Sequence, residues 1–173
     1  WLVIQIKSGD TRNDARGIGT FTMNQATTGL GIREYRYSTD MAVNPHTFGD
    51  TNDQWYNDGT TDRVDVHGLG SIWAVMLWDL TWNYIDKYGY SSNIYNGTGG
   101  NNKVMRLVID AMKLTPANPS LIDCRNAIIQ ADLNTTNGQD YCMIWETFAR
   151  RGMGVNASSG TKSGVAGVRA ESW

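Results

Sequence analysis

The chain has 173 residues, 40% hydrophobic and 18% charged, with a formal net charge of −2. That is enough apolar material for one sizeable core, so one domain, or one lobe of a larger domain, is expected. Lysine and arginine are scattered without a basic stripe, which gives no footprint for nucleic acid, and no run approaches the roughly 20 apolar residues of a membrane-spanning helix.

Residues 1–7, W-L-V-I-Q-I-K, read as the end of a buried helix or as a short strand; helix is expected, with Gly9 as its stop. The chain opens into this run without the charged and apolar regions of a signal peptide, which reads as a chain cut inside an element, any secretory signal lying upstream. Residues 10–70 are rich in Gly, Asn, Asp and Thr and predict a long irregular segment, of the kind that carries function or wraps a neighbouring lobe. Within it, R-G-I-G-T-F-T-M-N-Q at 16–25 and G-I-R-E-Y-R-Y-S-T-D-M at 31–41 are places for short strands or single turns.

Beyond His67 the large residues recur at helical spacing, with Trp73, Met76, Leu77, Leu80 and Tyr84 on one face and Trp78, Trp82 and Ile85 beside them. Such a helix is buried on much of its circumference. Residues 101–114 place Val104, Leu107, Val108, Ala111 and Met112 on one face, and Pro116 stops them. Pro119 and the box-like Ser120-x-x-Asp123 start a third helix carrying Leu121, Ala127, Ile128 and Ala131. Asp140 can cap a last helix through Ile144, Trp145, Phe148 and Ala149, with Arg150 and Arg151 near its carboxyl end and Gly152 ending it. The expected fold is mainly α. Residues 1–155 form one lobe, irregular over 1–66 and a helical cluster over 67–152, and 156–173 form a loose tail or edge segment.

His67 opens H-G-L-G-S-I-W-A-V at the mouth of the apolar helix, where the first turn's unpaired amides can face a pocket. An imidazole there either bonds backbone as a cap or donates to an oxyanion developing on a substrate carbonyl. Asp65 and Asp62 are near enough for one of them to orient it. Arg33, among glycines that allow close approach, is either a surface arginine or a planar fork for a peptide carbonyl. Asp50, Asp53, Asp58 and Asp62 share one loop and can offer oxygen to calcium, although the twelve-residue calcium-loop pattern is absent. With Trp55 they support a rival class, a non-catalytic extracellular domain binding calcium or glycan. His46 and His67 are too far apart for H-E-x-x-H, so no zinc site of the chain's own is recognisable. Cys124 and Cys142 allow one disulfide in an oxidising compartment.

Several segments carry a family resemblance: A-R-G-I-G-T at 15–20, Y-S-T-D-M at 37–41, V-H-G-L-G-S-I-W-A-V-M-L-W-D-L-T-W at 66–82, I-Y-N-G-T-G-G-N-N at 94–102, L-V-I-D-A-M-K-L at 107–114 and I-W-E-T-F-A-R-R-G-M-G at 144–154. In this order and over most of its length, the chain resembles the carboxyl-terminal part of the catalytic domain of fungalysin-type secreted zinc metallopeptidases, relatives of the thermolysin fold. The resemblance implies a helical lobe of a secreted endopeptidase. Its zinc-binding H-E-x-x-H and third-ligand glutamate would lie in an upstream lobe of the same protein, leaving this chain inactive alone. It implies a polypeptide substrate, with His67 as the oxyanion-stabilising histidine, Asp65 or Asp62 as its carboxylate partner, and Arg33 as the arginine holding a substrate carbonyl. Two departures stand out. Ser71 replaces a glutamate common in the family, and Ala117 occupies a turn that usually holds a cysteine, so Cys124 takes over the pairing with Cys142 or both stay reduced.

Overall fold

The computed structural model describes residues 1–2, 5–160 and 170–173. Four helices dominate them: α1 (Val66–Tyr88), α2 (Gly100–Leu114), α3 (Leu121–Thr136) and α4 (Tyr141–Ala149). Before α1 come a 3-10 turn at Gly49–Asp53 and a two-stranded antiparallel ribbon, β1 (Trp55–Asn57) and β2 (Asp62–Val64). The mainly α class read from periodicity is the observed one.

α1 buries side chains on two sides. Ile72, Met76, Leu77, Leu80 and Tyr84 pack with Val104, Leu107 and Val108 of α2, Ile128 of α3, and Ile144 and Phe148 of α4. On the other side Ala74, Val75, Trp78, Trp82 and Ile85 cluster with Ile6 and Tyr37 from the irregular segment. Burying one such aliphatic or aromatic side chain fully contributes about 1.5–3 kcal/mol, so the two clusters outweigh any helix propensity. Gly100 sits against the Tyr84 carbonyl with no room for a Cβ, which lets α2 start flush on α1. The Ser120–Asp123 capping box is formed in both directions at the head of α3, with Ser120 N donating to Asp123 Oδ2 at 2.9 Å and Asp123 N to Ser120 Oγ at 3.2 Å.

Other expectations are corrected by long-range contacts. Residues 5–7 are not helical, and Val3 and Ile4 lie outside the described residues. The backbone there is claimed from outside. Arg16 Nη1 donates to Gln5 O at 2.6 Å, and Lys7 N donates to Asp10 Oδ2 at 2.5 Å. α1 begins at Val66, so His67 stands inside its first turn rather than before it. Asp140 occupies the position that precedes α4, yet its side chain makes no cap bond; it accepts from Lys87 Nζ at 2.5 Å and Tyr88 Oη at 2.7 Å. Arg150 and Arg151 serve more than a helix dipole. Both bind Asp79, in the middle of α1, through Nη1 at 2.9 Å and Nε at 2.6 Å respectively.

Arg151 is fully buried and also donates to the carbonyls of Ser38, Asn44 and His46, which pins residues 38–46 to the helices. Burial lifts the Asp79 carboxyl above its ordinary range, and the pull of the two guanidiniums does not fully offset it. At the chain's other end Met153 pairs with Ser172 and Ser158 with Ala170, while Glu171 accepts from Gly49 N at 2.5 Å. Cys124 and Cys142 are both free thiols, the first half-buried and the second exposed.

A buried pair of this kind is costly to break, because the surviving charge is stranded. Asp79→Ala is expected to lower the unfolding free energy by about 3–5 kcal/mol, measured as a fall in denaturant midpoint at unchanged slope. The thiols should separate by rate. Burial raises the Cys124 pKa, leaving less thiolate at mildly alkaline pH, so a thiol-reactive probe followed by mass spectrometry is expected to label Cys142 first.

Candidate functional site

The first turn of α1 is assembled from the ribbon upward. In the ribbon Trp55 pairs with Val64, Tyr56 with Arg63 and Asn57 with Asp62. The turn joining its strands is organised by Asp58: the Arg63 guanidinium, the Thr60 hydroxyl and the amides of Thr61 and Thr60 hold this carboxyl far below the ordinary carboxylate range. Asp62 accepts from Asn57 Nδ2 at 2.7 Å and so belongs to the ribbon. The chain then enters α1 through Asp65, whose amide donates to Gln54 O at 2.9 Å.

Asp65 is the N-cap, and its Oδ1 accepts from His67 N at 2.9 Å. The same oxygen lies 3.6 Å from His67 Nδ1, too long for a hydrogen bond but close enough for electrostatic attraction. The imidazole is 74% exposed. Of the two carboxylates singled out from sequence, the structure brings Asp65 to His67 and leaves Asp62 with Asn57. Gly68 is tightly approached by the Gln54 side chain, which packs against the same turn.

Arg33 follows the crossing of two loop strands, where Gly31, at φ +77°, meets Ile18 with no room for a Cβ and Ile32 N donates to Ile18 O at 2.9 Å. Its guanidinium makes one long contact, 3.4 Å to Ile32 O. No ion pair or hydrogen bond joins Arg33 to His67. Its segment nevertheless reaches α1 through Tyr37, whose hydroxyl lies 3.4 Å from Ser71 Oγ, about one helical turn beyond His67.

His46 was not singled out as a site residue, yet it is buried beside the same structure. Its Nε2 lies 3.4 Å from Glu34 Oε2, and Tyr35 meets its ring edge-on with centroids 4.9 Å apart. These residues, with Asp50, Asp53 and Gln54, line a polar cavity of about 350 Å³. The charge of Glu34 raises the Tyr35 phenol pKa. Nothing in local spacing signals the His46–Glu34 approach, because two separate loops supply the partners. In the aspartate-rich loop, Asp50 accepts from Thr47 N at 2.6 Å, while Asp58 and Asp62 are engaged as above. Among the described residues no group of three or more His, Cys, Asp or Glu is arranged to hold a metal ion.

A family model described as fungalysin metallopeptidase (M36) matches residues 1–157. Extracellular metalloproteinase 2 of Arthroderma gypseum is 42% identical over 163 residues, covering 91% of this chain and 24% of that protein. Extracellular metalloproteinase 2 of Trichophyton tonsurans is 41% identical with the same coverage. Extracellular metalloproteinase 4 of Trichophyton soudanense is 41% identical over 162 residues, 89% of this chain and 38% of that protein. The chain thus spans about a quarter of the length of the first two relatives.

Because Asp65 satisfies a first-turn amide, Asp65→Ala is expected to cost about 1 kcal/mol of stability. Its further effect should be local, broadening the His67 imidazole resonances in an NMR spectrum while leaving the core methyl signals unchanged.

Proposed function

Because the chain belongs to the fungalysin metallopeptidase family, we propose that it forms the helical lobe of an extracellular zinc-dependent endopeptidase and presents His67 to the scissile peptide bond of a polypeptide substrate. The observation that carries this reading is the exposed imidazole on the first turn of α1, with the N-cap carboxylate of Asp65 beside it. The extracellular setting is taken from the names of the relatives.

During peptide hydrolysis negative charge gathers on the scissile carbonyl oxygen. A donor already in place stabilises that charge more than it stabilises the uncharged ground state, and this difference accelerates the reaction. His67 supplies the donor through Nε2, and Asp65, on the Nδ1 side, is the positioning carboxylate. Asp62 ranks behind it because Asn57 already occupies it. Arg33, with only a long contact to its own neighbour, has donors left to hold a second substrate carbonyl on the primed side.

The family implies zinc, and the described residues of this chain do not fit a zinc site. The two histidines stand in different settings, His46 buried beside Glu34 and His67 exposed on α1, and the described residues hold no three-ligand cluster. In this reading zinc and its ligands belong to the remainder of the protein, whose lobe is this chain's partner across the cleft. Alone, the chain should not hydrolyse peptides.

The test is made on the full-length protein. His67→Ala is expected to lower kcat/KM by about 2–4 kcal/mol, or about 30- to 900-fold, with the loss mainly in kcat. Undiminished turnover would remove His67 from the mechanism. Peptide hydrolysis by the chain expressed alone would overturn the assignment of the metal to the remainder of the protein.

A further inference from the structure

The loop joining α1 to α2 has a backbone fixed from beneath. Asn101 Oδ1 accepts from Ser91 N at 2.9 Å and its Nδ2 donates to Ser91 O at 2.8 Å. Asn102 Nδ2 donates to the carbonyls of Asn93 at 2.9 Å and Ile94 at 2.8 Å. Both asparagines are buried. Gly97 N donates to Asn93 O at 2.9 Å and Asn96 N to Asn93 Oδ1 at 3.0 Å, and a Cβ at Gly97 or Gly99 would collide with the loop itself. This pedestal displays Ile94, 57% exposed, Tyr95, 89% exposed, and the exposed Asn96. The Asn96 carboxamide and the Thr98 hydroxyl form no hydrogen bond with any described residue.

Asn96-Gly97-Thr98 has the form Asn-x-Ser/Thr without proline, the acceptor triplet for N-linked sugar. We propose that Asn96 carries an N-linked glycan, an inference that rests on the extracellular reading above. The donor is an oligosaccharide on a polyisoprenyl diphosphate. A bond forms between the Asn96 amide nitrogen and the sugar's C1, the C1–O bond breaks, the diphosphate leaves with the electron pair, and the amide gives up one proton. The first sugar residue then lies beside Ile94 and Tyr95 and shields apolar surface that the chain itself leaves open.

The chain holds two other such triplets. Asn134-Thr135-Thr136 lies in α3, where Asn134 Oδ1 accepts from Gln130 Nε2 at 2.7 Å and Thr135 and Thr136 donate to the carbonyls of Ala131 and Asp132. In Asn156-Ala157-Ser158, the serine backbone pairs with Ala170 and its hydroxyl accepts from Gly160 N at 3.3 Å. Among the described residues, Asn96 alone combines a carboxamide without a hydrogen bond, a hydroxyl two residues on without one, and an irregular backbone.

The test secretes the full-length protein from a eukaryotic host, releases glycans with a peptide N-glycosidase in heavy-oxygen water, and maps asparagines converted to labelled aspartate. Conversion is expected at Asn96 and not at Asn134. Thr98→Ala, at an exposed hydroxyl without a partner among the described residues, should abolish conversion at Asn96 while the protein is still secreted. Secreted protein with unmodified Asn96 would overturn the inference and leave the extracellular reading standing. Protein retained unglycosylated inside the cell would overturn both.

Discussion

The ion pair between Asp79 and Arg151 is the joint on which the rest of the structure depends. A guanidinium has five N–H donors, and Arg151 spends each on a partner: two on Asp79 and one each on the carbonyls of Ser38, Asn44 and His46. Full burial demands this, since a donor stranded away from water costs about 1–3 kcal/mol. The side chain therefore joins the middle of α1, the end of α4 and a stretch of chain without regular structure. That stretch needs no ladder of its own, because Arg150 and Arg151 satisfy its carbonyls at Ser38, Thr39, Asn44 and His46 and its own turn satisfies Asp40.

The position of His67 follows from the same joint through short steps. Phe48 N donates to Arg151 O at 2.7 Å, and the 3-10 turn begins at the next residue. The turn leads to Gln54, whose carbonyl receives the Asp65 amide, and Asp65 in turn caps the amide of His67. An exposed imidazole on a helix would otherwise be free to wander. Here its backbone is tied at both ends, by the cap in front and by the apolar clusters of α1 behind.

What was legible in the sequence was what depends on near neighbours. The Ser120–Asp123 box and the period of α2 are local; the box stands as read, and Val104, Leu107, Val108 and Ala111 are buried as expected, whereas Met112 at the end of the same face is 69% exposed. The two apolar stripes of α1 were legible as well, although not which elements would cover each. Asp140 shows the limit: its position before α4 is the one expected, but Lys87 and Tyr88 lie some 50 residues earlier and take the carboxylate instead. Arg151 was legible only as a cation near a helix end; its pairing with Asp79, 72 residues earlier, was missed for the same reason. The strands of β1 and β2 are three residues each and carry almost no apolar alternation, so only the Asp58 turn betrays them. At the site, His67 and Asp65 are two residues apart and could be read together, whereas the approach of Glu34 to His46 joins two loops and left no trace in spacing.

The double cover of α1 has a consequence for how the molecule opens. Neither apolar cluster can separate without stripping one side of the same helix, so the two share a single unfolding unit rather than forming independent foldons. Inexpensive fluctuations are left to segments outside that unit, such as the loop tip at Phe21, which is 93% exposed, and the turn of the β1–β2 ribbon. Rigidity is thus concentrated behind the His67 imidazole, and compliance is left to loop tips that neither apolar cluster covers.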